Sequence, residues 1–168
     1  MIQIIDNFLP DTMFSALVDE TTLFKYTHGH WSSNAHYENH WLHMDLNNSF
    51  FFTNTMMDLI KDTTNQNFHL DRVYMNGMTY GCTSSYHTDS SRINDKTFLL
   101  FIHECYPDNA DEIGGYFYYK DANNDIRCIE PLKNRAIFFN GNILHKGECF
   151  HRDCKILRQS IAWKLKSE

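Results

Sequence analysis

The chain predicts a mainly β fold with flanking helices, a cupin-like jelly-roll or double-stranded β-helix with two N-terminal helices. Three observations carry this. Short runs of strand length follow one another from Phe68 onward, and two amphipathic helical stripes precede them. Aromatic residues make up 15%, with 13 Phe and 9 Tyr, which suits flat rings packed between sheets. A length of 168 residues, 42% of them hydrophobic, suits one compact domain over 1–168, and no linker, repeat or low-complexity tract divides it.

Ile2 to Phe8 reads as a short strand, and Pro10-Asp11 opens a helix with Met13, Phe14, Leu17, Val18 and Thr21 on one face. From His28 to Asp45, five His and two Trp lie among polar residues without sustained alternation. His36, His40 and His43 would share a helical face and could gather a metal, as could His28-x-His30. The plainer reading is a polar, aromatic loop or edge strand. Asn48 to Thr64 reads as the second helix, with Ser49 as N-cap and a core stripe of Phe52, Met56, Leu59, Ile60 and Thr63.

Phe68 to Tyr80 reads as a strand with Arg72, Tyr74 and Asn76 on one face. The apolar run Thr97 to Ile102 is a strand buried on both faces, and Tyr106 to Ile113 is a loop. Gly115 to Lys120 and Asp125 to Glu130 form a hairpin across Ala122-Asn-Asn124. Arg135 to Asn140 is a further strand, bent by Gly141-Asn142 before His145, and Arg158 to Trp163 is the last.

Fifteen Lys and Arg against 21 Asp and Glu give a net charge of -6. No global positive field would draw in a phosphate backbone, so nucleic acid is not an expected partner. Five cysteines, an odd number, point to free thiols in a reducing compartment, and Cys149-x4-Cys154 lacks the second pair that a zinc finger needs. No apolar run approaches the ~18 residues of a membrane span and no leader pattern follows Met1, so a cytoplasmic, membrane-free protein is expected.

The chemistry-bearing stretch is Tyr80 to Asp89, which puts an imidazole and a carboxylate two residues apart at the end of a strand. In extended backbone His87 and Asp89 point to one face and can share one metal ion. Two imidazoles and one carboxylate favour non-haem Fe(II) and leave coordination positions open. The third ligand must then come from elsewhere, and His145 in Asn-Gly-Asn-Ile-Leu-His-Lys-Gly fits, being followed by Arg158-x-Ser160 on one face of the final strand. Other His-x-Asp pairs exist: His151 has no later His, and His43 could use His103 but finds no Arg or Lys between Glu104 and Phe117.

His87-x-Asp89, His145 and Arg158-x-Ser160 together resemble the 2-oxoglutarate/Fe(II)-dependent dioxygenases, in particular the prolyl-hydroxylase-like branch. Ile4-Ile-Asp-Asn-Phe-Leu-Pro10 is similar to that family's opening strand, Tyr80-Gly81 to its Tyr-Gly, and Gly114-Gly-Tyr-Phe117 to its double glycine. The resemblance implies Fe(II) on His87, Asp89 and His145, with 2-oxoglutarate as cosubstrate and ascorbate in support. Arg158, or alternatively Lys155 ten residues past His145, would grip the far carboxylate of 2-oxoglutarate, assisted by Ser160 and Tyr80. Some family members use a Tyr where Phe101 stands. Retention of Asp89 points to hydroxylation, since related halogenases replace that carboxylate.

The same resemblance puts Trp31, Tyr37 and Trp41 near the mouth of the site as substrate contacts. It implies a protein or peptide side chain as substrate, proline first, with a free small metabolite as the alternative. A second class stays open, because jelly-rolls also serve as non-catalytic metal- or sugar-binding modules. Such a module has no need for an arginine beside the third ligand.

Overall fold

Residues 1–30 and 40–167 are described by the structure, a computed structural model of the chain. Ten strands and three helices follow in chain order among these residues: β1 Ile2–Ile5, α1 Asp11–Thr21, β2 Thr27–His30, β3 Trp41–Asp45, α2 Met56–Thr64, β4 Phe68–Met78, β5 Lys96–Phe101, α3 Ala110–Ile113, β6 Phe117–Lys120, β7 Ile126–Ile129, β8 Ala136–Asn140, β9 His145–Gly147 and β10 Arg158–Ser167. The strands form a seven-stranded sheet in the order β1-β8-β5-β10-β4-β3-β2 and a three-stranded sheet in the order β7-β6-β9. Every pairing is antiparallel, and the two sheets face each other as a jelly-roll.

Because side chains alternate across a strand, each central strand serves two interiors. On β10, Ile161, Trp163 and Leu165 join Phe98 and Leu100 of β5, Phe138 of β8 and Val73 and Met75 of β4 in a core beneath the helices. The opposite face of the large sheet sends Leu99, Phe101, Ile137, Phe139 and Ala162 toward Phe117 and Ile129 of the small sheet. That second interior is only partly apolar. Arg72, Tyr74 and Asn76 of β4 and Arg158, Ser160 and Lys164 of β10 line a cavity within it.

The helices cover the outer face. Phe14, Leu17 and Thr21 of α1 are buried, and so are Phe52, Met56, Met57 and Ile60 in the second helical segment. That segment begins as a π-helical turn over Phe51–Thr55 before becoming α2, and Ser49 does not cap it. Its hydroxyl donates to Glu20 Oε1 at 2.8 Å, while its carbonyl accepts the Thr53 amide at 3.0 Å. Burial between the helices explains the difference, since a hydroxyl there gains more from a charged acceptor on α1 than from an amide of its own turn.

The His-rich segment supplies β2 and β3, the outermost strands of the large sheet, as in the edge-strand reading. His36 lies outside the described residues. The loop expected over Tyr106 to Ile113 contains the single-turn α3, whose first turn carries Asp111 and Glu112.

Trp163 ties the layers together. It is fully buried, its ring lies 6.0 Å from Phe98 and 6.3 Å from Phe52, and its indole N–H donates to the Phe52 carbonyl at 2.9 Å. Trp163→Ala should cost about 3–5 kcal/mol in urea denaturation, from the cavity it leaves and the carbonyl it strands. A loss below about 1 kcal/mol would show that the sheet and helices do not depend on this contact.

Candidate metal centre and its cavity

Two chain segments meet at the site. The His87 and His145 amides each donate to the other residue's carbonyl at 2.9 Å, so an extended stretch after β4 is bridged to the start of β9. Two residues on, the Asp89 amide donates to the Gly141 carbonyl at 2.8 Å, in the turn between β8 and β9. The result is that one ligand-capable atom from each of His87, Asp89 and His145 falls within 4.8 Å of the other two. Among the described residues no other trio of such groups converges this way, the His28, His30, His40 and His43 group included.

The protonation pattern fits a cation. Nδ1 of His87 lies 2.8 Å from the Ser85 carbonyl and Nδ1 of His145 lies 2.8 Å from the Ile143 carbonyl. A carbonyl only accepts, so each Nδ1 carries the proton and each Nε2 presents a lone pair. Those Nε2 atoms approach the Asp89 carboxylate at 3.7 and 3.6 Å. Burial lowers the pKa of both imidazoles, that of His145 to about 4 against the opposing pull of Asp89, so both are neutral near pH 7. Two lone pairs and a carboxylate facing one another repel unless a metal ion lies between them, and two backbone-oriented imidazoles with one carboxylate suit Fe(II). Phe117 stacks on the His145 ring at 5.2 Å and Phe139 abuts it at 4.9 Å, which fixes its orientation.

Arg158 lines the same cavity, of about 210 Å3, and is only 2% exposed. Its Nε donates to the Gly115 carbonyl at 2.8 Å, its Nη1 lies 3.6 Å from Met78 Sδ, and its guanidinium carbon stands 5.3 Å from the Phe101 ring centre. Among the described residues its Nη groups meet no oxygen acceptor. Burial pushes its pKa down to about 10, which still leaves it charged. Gly115 is required here: its φ is +77°, and a Cβ would come within 2.4 Å of the Phe150 ring and 3.3 Å of Arg158 Cδ. The double glycine therefore delivers a backbone acceptor to the guanidinium.

Ser160 is buried two residues along from Arg158 and lines the cavity, whereas Lys155 is exposed in the loop before β10 and does not. Tyr80 is also placed apart from it. The strand ends at Met78, two residues earlier than expected, and the turn that follows swings the Tyr80 ring outward to 65% exposure. Trp41 lines the cavity as a buried wall, its indole donating to Asn76 Oδ1 at 3.1 Å. Trp31 and Tyr37 lie outside the described residues. All five cysteines are free, with Cys149 Sγ accepting from the Gly81 amide at 3.3 Å.

No protein-family model and no curated protein matches the chain at the level of sequence. Solved structures do match in shape. A prolyl hydroxylase from Trichoplax adhaerens, solved in complex with a hypoxia inducible factor oxygen degradation domain peptide fragment, superposes with a TM-score of 0.72 at 13% identity, covering 98% of this chain and 83% of that one. A Pseudomonas putida prolyl-4-hydroxylase gives 0.64 at 16% identity over 99% and 93% of the two chains. A 2OG-Fe(II) oxygenase family oxidoreductase from Burkholderia pseudomallei gives 0.73 at 9% identity over 98% and 85%. The fold is that of the 2-oxoglutarate/Fe(II) oxygenases. At such identities the likeness is one of fold, and the chemistry must be argued from the side chains.

Two of those side chains are not singled out by the sequence motifs. Lys164, 8% exposed on β10, places Nζ 2.5 Å from Asp89 Oδ2, and Thr97 of β5 donates to the same oxygen at 2.6 Å. Burial alone would raise the Asp89 pKa, but Lys164 first and then His145 hold it below the usual carboxylate range. Burial likewise opposes the charge on Lys164, and Tyr74 and Asp89 outweigh it, raising its pKa. With Oδ2 occupied by two donors, Oδ1 is the oxygen left for a metal. Period-two alternation from Arg158 through Ser160 and Ala162 already puts Lys164 on the cavity face.

Lys164→Met should leave Asp89 buried as an unpaired charge and cost the metal-free protein about 3–5 kcal/mol. Saturating Mn(II) should close most of that gap, because the metal then supplies the missing positive charge. Urea denaturation of wild type and variant, with and without Mn(II), reads both effects. An equal deficit in the two conditions would mean that Lys164 acts through packing and not through Asp89.

Proposed function

We propose that the chain is an Fe(II)- and 2-oxoglutarate-dependent dioxygenase that hydroxylates a C–H bond on a side chain of a protein or peptide, with proline the first candidate. The observation that carries this is the union, in one cavity, of two lone-pair imidazole nitrogens and a carboxylate with a buried arginine whose Nη groups meet no oxygen among the described residues. A metal-binding module needs the first three groups only. A guanidinium held in the interior is a fork for a carboxylate, which is the chemistry of the far end of 2-oxoglutarate.

In this reading His87, Asp89 and His145 hold Fe(II), and together with 2-oxoglutarate and O2 the metal would supply the oxidising power to convert C–H to C–OH, releasing succinate and CO2. The protein contributes position and shelter. Arg158 fixes the distal carboxylate of the cosubstrate, and Ser160 adds a neutral hydrogen-bond donor beside it. Leu99, Phe117 and Phe139 keep water from the reacting centre, and Lys164 with Thr97 keeps Asp89 ionised and fixed in rotamer. The peptide bound in the Trichoplax hydroxylase complex supports a peptide substrate, since a protein of similar fold is there in complex with a peptide fragment.

Incubation with Fe(II), ascorbate and 2-oxoglutarate, followed by measurement of succinate, is the direct assay, and slow uncoupled release is expected even without substrate. Arg158→Ala should weaken 2-oxoglutarate binding on the order of 30- to several-thousand-fold, the cost of losing a desolvated charge pair, whereas Lys155→Ala should leave it within about twofold. Unchanged affinity in Arg158→Ala would contradict the assignment.

A further inference from the structure

Resting on that reading, we propose that the substrate carries an anionic group, a carboxylate or a phosphate, held at the cavity mouth by Arg72. Among the described residues, the charged side chains lining the cavity are Arg72, Arg158, Lys164 and Asp89, three cations against one anion. Fe(II) and the 2-oxoglutarate dianion sum to zero, so seating both keeps the excess of two positive charges, one residing on the metal and one on the lining. Arg158 is matched by the cosubstrate and Lys164 by Asp89. Arg72 is the cation left facing the space where a substrate enters.

Its surroundings are built to keep it available. Arg72 lies on the cavity face of β4 with its side chain 51% exposed, and its guanidinium carbon is 6.0 Å from the centre of the Tyr74 ring. Its Nη1 reaches the neighbouring Asp71 at 3.2 Å, but Asp71 is shared with Lys166, so one carboxylate serves two cations. Among the described residues no other acceptor takes its remaining N–H groups. Beside it, His30 stacks on His43 at 4.2 Å and packs 5.8 Å from Tyr74.

These imidazoles are neutral near pH 7. Burial, then His43, then Arg72 and Lys164 lower the pKa of His30 to about 4, and burial lowers His43 against the opposing pull of Asn76 and Asp45. They offer a polar wall without adding charge. A local positive field at the cavity, on a chain whose net charge is -6, selects for an anion presented by a small group and against a polyanion. An arginine whose remaining N–H groups meet no acceptor among the described residues, set over an aromatic ring, is suited to receive either a carboxylate or a phosphate.

The test is binding to the protein loaded with Mn(II) and 2-oxoglutarate, read by calorimetry. The probes are N-acetyl derivatives of the common amino acids, each as free acid and as primary amide, with N-acetylserine amide and its phosphate ester as the phosphate arm. At least one anionic probe should bind about tenfold or more tightly than its neutral partner, and the arm in which it falls separates carboxylate from phosphate. Arg72→Gln should bring that preference to within about twofold, while Arg127→Gln, a change in an exposed cation of the β6–β7 hairpin, should preserve it. Equal binding of acid and amide, no binding of any anion, or a preference that survives Arg72→Gln would each overturn the proposal. Failure of the wild type to take up Mn(II) or 2-oxoglutarate at all would instead refute the oxygenase reading on which it rests.

Discussion

Lys164 and Asp89 hold each other between the two sheets of the jelly-roll, and much else about the site follows from that contact. A carboxylate with access to little water would otherwise take up a proton and lose its value as a ligand. The 2.5 Å approach of Lys164 Nζ to Oδ2, backed by the Thr97 hydroxyl, keeps the group ionised and leaves Oδ1 facing His87 Nε2 at 3.7 Å. The pair is tolerable because the strands that supply Lys164 and Thr97, β10 and β5, have their other faces locked into the apolar core under the helices. Rigidity behind the site is what lets a costly arrangement persist in front of it.

The same division of labour runs through the jelly-roll. Odd positions of β10 build stability through Ile161, Trp163 and Leu165, and even positions build chemistry through Arg158, Ser160 and Lys164. The small sheet contributes by covering: Phe117 lies against His145, and the Gly114-Gly115 turn before β6 hands its carbonyl to Arg158. A backbone bridge between His87 and His145 then joins the stretch after β4 to the small sheet at the point where the ligands meet.

Much of this was legible in the residues because it follows from alternation. Strand runs, the two helical stripes and the hairpin are local patterns, and the His87, Asp89 and His145 trio depends on two extended segments that local sequence announces. Arg158 and Lys155 could not be separated by spacing alone. Burial separates them, since one faces the interior and the other the loop surface. Tyr80 is placed outside because the end of a strand decides which way the next side chain swings, and two residues of difference at Met78 suffice to turn it outward. Ser49 carries a cap residue's chemistry, yet its partner Glu20 is 29 positions away, a contact no local pattern encodes. Lys164 was hidden for a different reason: a lysine near the end of a strand is usually a solvated charge, and only the position of Asp89 makes it an interior one.

The central claim is that His87, Asp89 and His145 form a single metal site. It is tested most directly by anaerobic titration of the metal-free protein with Fe(II), read as stoichiometry per chain in the wild type, His145→Ala and His43→Ala. The account predicts one ion for the wild type and for His43→Ala, and loss of stoichiometric binding in His145→Ala while the variant remains folded by circular dichroism. Retention of the ion by a folded His145→Ala, or its loss in His43→Ala alone, would contradict it.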